Sequence, residues 1–395
     1  MKKLLSIIAV AALATGAFAA SEVNFGGSID ISAIHSSVDI LGADLNNSYT
    51  DSEVNLWATT DLADNVSAKI NLKYKKDFGG VGITNIGALV GVDAPTYVGD
   101  IVLWEGYVKL AKMYDTPVDF VAGRWVQGYG EGFIVPDNVP VDGFKLTWDA
   151  DPSYVDFFYW KKLEAFPTQE DDYTVLGAYA STKAIECVTL DAYVLYADVQ
   201  AFDGHGLWIG VRANGTVPAV EGLAYKAELA YNNIDNDITA DTLSDVAGYV
   251  GVAYTFNQSE YKPFIGANFY YIGDEFIQPF GHTDQDDLGE KGYGRIADSF
   301  ALLRNNVMFV NLNAGFKPAE KWAADADFYY YLATDEDGLL VSLADKEIGW
   351  EADVRVSYQY SENVAAELIA GYFDADDNIG GGEAWMVKGG MKVSF

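Results

Sequence analysis

Apolar and polar residues alternate along much of this chain with a period of two. From Trp385 the odd positions continue with Val387 and Met391, whereas the even positions include Lys388 and Lys392. A period of two is typical of a β-strand, because successive side chains point to opposite faces. The pattern therefore predicts strands with one face in an apolar environment and the other in water.

Segments of this kind recur from end to end, and residues that favour turns, namely Gly, Pro, Asn and Asp, separate them. The pattern predicts eighteen strands, near 22–34, 51–61, 65–76, 99–113, 117–126, 142–149, 153–162, 172–181, 186–199, 205–216, 222–233, 246–256, 262–272, 303–316, 321–334, 347–360, 364–374 and 383–395.

Short and long connections alternate between these strands, and 200–204 is the exception. Short links lie near 62–64 and 114–116, for example, and long ones near 35–50 and 77–98. Transmembrane barrels pair short periplasmic turns with long extracellular loops, an order that a soluble sandwich or solenoid has no reason to keep. We therefore predict an all-β fold, a transmembrane antiparallel β-barrel of about 18 strands. Its last strand should pair with its first, because an open edge in lipid leaves backbone groups unpaired.

The N-terminus has the three parts of a secretory signal peptide. Two lysines precede an apolar run at residues 4–13, and small residues at Ala17 and Ala19 form a cleavage site. The run is too short for a membrane anchor, which is the alternative. We expect a signal peptide at residues 1–19 and a single barrel domain at residues 20–395.

Composition supports the barrel and excludes some partners. The chain has 26 Tyr and 9 Trp, the residues that form belts at the two membrane interfaces. Its 58 acidic and 25 basic residues give a net charge of −33, which argues against nucleic acid as a partner. The one cysteine, Cys187, permits no internal disulfide, and the three histidines have no zinc spacing. No cofactor or metal is predicted.

The alternation assigns most charged strand residues to the barrel interior, because a charge facing lipid costs about 2–4 kcal/mol at the bilayer midplane. Eighteen strands enclose enough space for an aqueous channel. The predicted pore-lining residues are Lys69, Lys73, Glu105, Lys109, Arg124, Lys145, Arg212, Lys226, Glu228, Glu351, Asp353, Arg355, Lys388 and Lys392. Basic and acidic residues are nearly balanced in this wall, so most of the acidic excess is expected in the long connections.

The glycine-rich connection at 127–137 is a candidate constriction loop. If it folds into the lumen, Glu131 and Asp137 would oppose Arg124 and Lys145 and focus a field across the pore. The alternative is an external loop with flexible glycines.

Two further features give weaker indications. The acidic stretch 282–290 places carboxylates at alternate positions, but their order does not fit an EF-hand, so a solvated loop is expected. His35 and His205 are predicted near the external rim, with no serine or acid placed beside them as a catalytic partner. An enzyme is therefore not predicted.

Short motifs resemble the alginate-export family of outer-membrane barrels, and the terminal aromatic Phe395 resembles the C-terminal signature of Gram-negative outer-membrane β-barrels. The family motifs are at 122–125, 136–145, 348–353 and 371–373. The resemblance implies an eighteen-stranded barrel in the outer membrane, in contact with lipid and lipopolysaccharide. It also implies recognition of the last strand by the barrel-assembly machinery, with a homotrimer as an open possibility.

The resemblance further implies passage of a hydrophilic solute, with Arg124 in the family's inward Gly-Arg position and Lys145 beyond the Asp-Gly. The family's alginate exporter has a strongly basic lumen, whereas the lumen predicted here is mixed. We expect a porin for passive diffusion of small hydrophilic solutes. The alternatives are a dedicated channel for a polysaccharide or oligosaccharide, and an adhesive surface protein with a plugged lumen.

Overall fold

The structure is a computed structural model that describes residues 22–40, 43–78, 101–163, 173–199, 204–236, 241–279, 294–297, 305–336 and 345–395. The predicted signal peptide and the acidic stretch 282–290 lie outside these residues.

Eighteen antiparallel strands form a single sheet. They are β1 (Val23–Ile40), β2 (Ala43–Ala63), β3 (Val66–Phe78), β4 (Ile101–Leu110), β5 (Val118–Tyr129), β6 (Val135–Ala150), β7 (Ser153–Leu163), β8 (Tyr173–Ile185), β9 (Val188–Val199), β10 (Gly204–Thr216), β11 (Leu223–Asn236), β12 (Asp241–Thr255), β13 (Phe264–Ile272), β14 (Val307–Ala319), β15 (Trp322–Leu332), β16 (Glu347–Ser361), β17 (Val364–Ala375) and β18 (Gly382–Ser394).

The sheet closes on itself. Each strand pairs with its neighbours in sequence, and β1 also pairs with β18, from Ser28 opposite Ser394 to Ile40 opposite Gly382. Beyond Ser394, Gly27 and Phe395 exchange two backbone hydrogen bonds of 2.9 and 3.0 Å. Closure pairs the strand edges that lipid could not solvate. The predicted eighteen-stranded barrel and the pairing of its first and last strands are confirmed.

The outer face is a belt of large apolar side chains, such as Ile70 and Leu229, which are 54% and 55% exposed. Trp148 and Trp322 lie near the ends of strands that are joined by short turns, a region called here the short-turn end. Tyr159 and Tyr196 lie toward the opposite, long-loop end. This distribution matches the aromatic belts expected from composition. No helix in the described ranges is long and apolar enough to cross a membrane.

Several hairpins continue as strand where the sequence predicts long loops. The predicted loop at 35–50 is largely strand, since β1 ends at Ile40 and β2 begins at Ala43. The predicted loop at 127–141 is likewise mostly strand, because β5 reaches Tyr129 and β6 begins at Val135. These extensions lack a continuous apolar row, so alternation does not reveal them. Backbone pairing between the two strands of each hairpin continues through these extensions.

Part of the interior is a packed aromatic core. Trp160 and Phe158 are almost fully buried, with ring centroids 3.9 Å apart. Farther round the barrel, Tyr270 stacks on Phe309 at 4.5 Å. The expected lumen lined mainly by polar residues is therefore wrong for this part of the barrel. Inward-folded segments supply the apolar surface that these rings contact.

Candidate functional site

The upper part of the β5–β6 hairpin leaves the barrel wall. β5 pairs with β4 only as far as Arg124 opposite Gly106, whereas its pairing with β6 continues to Tyr129 opposite Val135. At the departure point Gly123 has a φ of 121°, and a Cβ there would lie 2.3 Å from the Gly106 carbonyl oxygen. Only glycine fits this position. Residues 125–141 are called the inward hairpin below.

Aromatic contacts hold the inward hairpin inside the barrel. Tyr129 stacks on Tyr179 at 4.2 Å, and its hydroxyl donates to Asp156 at 2.7 Å. Phe133, at the tip, is fully buried and packs edge-on against Tyr270 of β13. The tip therefore reaches across the interior to strands far from its own.

An ionic network fixes the tip. The Glu131 carboxylate accepts from Arg212 Nε at 2.9 Å and from Lys226 Nζ at 3.1 Å, and Arg212 also pairs with Asp191 at 2.9 Å. The buried Glu228 accepts the backbone N–H of Glu131 and the hydroxyl of Tyr193. Two cations thus offset part of the negative charge of three carboxylates around the tip.

This arrangement differs from the predicted opposition of Glu131 to Arg124 and Lys145. Lys145 instead binds the Gln127 side chain at 2.9 Å and lies 3.8 Å from Asp156. The tip of the inward hairpin extends past Arg124 and Lys145 and contacts β10 and β11. The alternation in the sequence does not indicate how far the hairpin extends. Asp137 is in β6, and its side chain is outside the described part of the structure.

A second segment, residues 294–297, is anchored against β16. The backbone N–H groups of Ile296 and Ala297 each donate to Glu351 at 2.8 Å, and that of Arg295 donates to Asp353 at 3.4 Å. Glu351 and Asp353 are 0% and 2% exposed. The prediction that these carboxylates line an open pore is therefore wrong, because the segment covers them.

A third segment, residues 273–279, lies inside the barrel along β8–β11, toward the long-loop end. Trp208 Nε1 donates to the Ile277 carbonyl at 2.8 Å, and the Tyr173 hydroxyl donates to the Pro279 carbonyl at 2.9 Å. Among the described residues, those of the three inward segments occupy the interior next to β6–β16. The described strands on the opposite side border open polar space.

That space is a cavity of about 490 Å³ beside β1–β4 and β18. We call it the polar passage. It is lined by four lysines, four carboxylates and a few neutral residues, with Val126 contributed by the inward hairpin: Asp30, Ser32, Asp51, Glu53, Asn55, Lys69, Asn71, Lys73, Trp104, Glu105, Val126, Lys388 and Lys392.

The charges of the polar passage are interleaved. Lys69 pairs with Glu105 at 2.5 Å, and Lys73 pairs with Glu53 at 2.8 Å. The Lys73 ammonium also lies 4.3 Å from the centre of the Trp104 ring, a cation–π contact. Lys392 is directly opposite Asp30 in the β1–β18 register. With equal numbers of each sign, the wall attracts neither cations nor anions strongly, yet offers many donors and acceptors.

Two other predicted residues form interior ion pairs away from the polar passage. Lys109 lies 2.7 Å from Asp119, near the short-turn end, and Arg355 donates to Asp325 at 2.9 Å. Both basic residues are on the inward rows of their strands.

Arg124 is on the outer face, contrary to the prediction. In the sheet register it aligns with Gly106 and Ile70 on one side and with Asp142 on the other. Directly opposed residues share a face, and Ile70 faces lipid. The prediction placed Arg124 inside because of its charge and the family resemblance. Strict alternation from the inward Asp119 puts odd positions inside, so the sequence itself contained the correct signal.

Several residues of the polar passage are absent from the predicted pore-lining set, among them Asp30, Asp51 and Trp104. Asp30 and Asp51 alternate with other inward polar positions of β1 and β2, so the same period-two count could have found them. Trp104 could not be found in this way, because the β3–β4 register shifts between Asn71 and Leu72 and turns an apolar residue inward.

Solved structures of low sequence identity share this architecture. The chain is similar to the outer membrane protein OprD from Pseudomonas aeruginosa, with 9% identity, a TM-score of 0.62 and 94% of each chain covered. It is also similar to OccAB4 from Acinetobacter baumannii, with 11% identity, a TM-score of 0.59, and 94% and 98% covered. At such identities the likeness establishes the fold alone.

The sequence comparisons identify the family. No curated protein sequence matches the chain. The model of the alginate export family matches residues 142–384, more than half of the length. With an eighteen-stranded barrel of the outer-membrane type around a polar passage, the chain belongs to the alginate export family and is a channel of the Gram-negative outer membrane.

Proposed function

We propose that the protein conducts small hydrophilic solutes by passive diffusion, and that the polar passage is their route. The observation that supports this proposal is the polar passage itself. It is a cavity of about 490 Å³ whose polar wall has equal numbers of lysines and carboxylates. Its lysines and carboxylates replace water around a hydrophilic solute without binding one sign of charge tightly.

The proposed route is narrow for an eighteen-stranded barrel. The inward hairpin and the segments 273–279 and 294–297 occupy the interior beside β6–β16, which leaves the polar passage between Val126 and the β1–β4 wall. Small solutes therefore fit this route better than a folded or branched polymer.

Membership of the alginate export family supports a second candidate, a channel for a polysaccharide. A linear acidic polymer would be attracted by an excess of basic residues along its path. The four lysines of the polar passage are matched by four carboxylates. The charge balance therefore favours small neutral or weakly charged solutes.

Planar-bilayer recordings and liposome swelling would test the two candidates. We expect stepwise conductance from the purified protein, and swelling of liposomes in mono- and disaccharides that weakens sharply for larger sugars. Block of the current by micromolar acidic polysaccharide would favour the second candidate. Absence of both conductance and swelling would reject both.

A further inference from the structure

The wall of the polar passage lies outside the part of the chain that the family model matches. Its thirteen lining residues either precede residue 142 or, like Lys388 and Lys392, follow residue 384. Membership of the alginate export family therefore does not identify the solute that contacts this wall. The chemistry of the lining side chains is the remaining guide to the class of solute.

Most charges of this wall already have a partner. The two ion pairs described above occupy four of the eight charged side chains. Asp51 and Lys388 have interaction partners as well. Asp30 and Lys392 differ from them, because neither forms a hydrogen bond or an ion pair with any residue that the structure describes. These two groups, called here the open pair, are therefore available to a solute.

The two members of the open pair face each other across the seam between β1 and β18. They are directly opposed in the register, so their Cβ atoms are about 5 Å apart, and both border the polar passage. On the other side of Asp30, the opposed residue Glu53 is held by Lys73. On the other side of Lys392, the opposed residue is the uncharged Ala365. The directly opposed neighbours therefore leave the open pair without a competing ion pair.

A gap lies beside the open pair. Gly390 is the next inward position of β18 after Lys392 toward the long-loop end, and it has no side chain. A Cβ at Gly390 would lie 3.4 Å from Glu367 Cγ and 3.7 Å from Ser32 Cβ, so these two side chains border the gap. Glu367 forms no ion pair with Lys392 among the described residues. The gap thus has a hydroxyl and a further carboxylate next to the open pair.

We propose that the open pair is a binding subsite for small zwitterions, solutes in which an ammonium and a carboxylate lie close together. The inference rests on the proposed function, because it assigns a class of solute to the same polar passage. The ammonium of the solute donates to Asp30, and its carboxylate accepts from the Lys392 ammonium. Each charge of the solute then exchanges water for a charged partner, and neither existing ion pair of the wall has to break.

The two opposite charges of the subsite select against other solutes. A cation that Asp30 attracts is repelled by Lys392, and an anion that Lys392 attracts is repelled by Asp30. A neutral sugar offers hydroxyl groups to both side chains but gains no attraction between opposite charges. The subsite therefore favours a zwitterion over a neutral solute of the same size. Its partial exposure to water keeps the binding weak enough for release, which conduction requires.

Uptake of labelled glutamine and xylose into proteoliposomes tests this subsite, since the two solutes are similar in size and only glutamine is a zwitterion. At low solute concentration we expect the wild type to take up glutamine faster than xylose. The ratio of glutamine to xylose uptake should fall about fivefold in D30N/K392Q, the effect of losing one partly solvated ion pair. The single variants D30N and K392Q should each lower the ratio, because a zwitterion needs both charges.

The matched control is D325N/R355Q, which also removes one charge of each sign. Its two residues form an interior ion pair outside the polar passage, so the wild-type ratio should persist. Xylose uptake by each variant confirms a folded and inserted channel.

The outcomes separate the subsite from the proposed function. A wild-type ratio in D30N/K392Q, with xylose uptake and conductance retained, would overturn the subsite alone. An equal fall of the ratio in the control would do the same, and so would a fall in only one single variant, which would indicate a site for one sign of charge. Absence of xylose uptake and of conductance in the wild type would overturn the proposed function and the subsite together.

Discussion

Individual side chains at the hairpin tip determine how far the lumen is filled. The Glu131–Arg212 pair joins the inward hairpin to β10. The pair is largely shielded from water, since the two side chains are only 15% and 18% exposed. Such a pair couples more strongly than the exposed Lys226 pair, because solvent screens the latter.

A double-mutant cycle of E131Q and R212Q measures this coupling. We expect an interaction energy of about 0.5–3 kcal/mol in urea unfolding of the refolded barrel. The cycle of E131Q with K226Q is the control and should give less, since Lys226 is half exposed. Equal interaction energies in the two cycles would show that burial of Arg212 does not matter.

The loop residue Asp274 gives a prediction for pH dependence. Burial and a hydrogen bond with Asp245 raise the pKa of Asp274 above 3.8. Because the pKa is higher in the folded state, ionised Asp274 lowers stability at neutral pH, and this loss disappears as pH falls below both values. D274N should raise the urea midpoint at pH 7 and leave it unchanged near pH 3.

The control for that experiment is D64N in the turn between β2 and β3. It removes a similar charge without the Asp245 contact. An equal increase of the urea midpoint in D64N at pH 7 would mean that net charge, and not the local environment of Asp274, produces the effect.

At the scale of elements, the inward hairpin is the part that turns a barrel into a narrow channel. Phe133 anchors its tip, so F133A should cost about 3–5 kcal/mol of stability at the hairpin. The loosened tip should give noisier and larger single-channel currents. F157A, which trims a lipid-facing ring, should leave the currents unchanged. If the single-channel currents of F133A are as quiet as those of the wild type, Phe133 does not hold the tip in place.

The sequence predicts the elements better than the site that they build. Period-two alternation finds all eighteen strands, because lipid on one side imposes the pattern. It predicts Lys388 and Lys392 on the inner face, and both border the polar passage. It cannot find the inward hairpin's partners, since the Glu131–Arg212 pair joins residues 81 positions apart. It also gives no sign that Glu351 is covered, because the covering residues are distant in sequence.

At the scale of the whole molecule, closure joins β1 and β18. Phe395 contributes two backbone hydrogen bonds to Gly27 at this seam. Deleting Phe395 should reduce the yield of inserted barrels and leave the conductance of each inserted barrel intact, because the remaining β1–β18 pairs still hold Asp30, Lys388 and Lys392 in the wall of the polar passage. Heat-modified gel mobility measures the yield. A parallel fall in conductance per barrel would contradict this separation.

The proposed function of the whole molecule requires that ions pass along the polar passage. K388Q/K392Q removes two of its cations, whereas E53Q/E105Q removes two of its carboxylates. K262Q/K321Q is the control for K388Q/K392Q, because it removes the same charge from two turns at the short-turn end, outside the polar passage.

The reversal potential in a salt gradient is the most direct test. K388Q/K392Q should shift it toward cation selectivity, E53Q/E105Q should shift it toward anion selectivity, and the control should leave it at the wild-type value. Identical reversal potentials in all four proteins, with conductance preserved, would contradict the account and place the route elsewhere in the barrel.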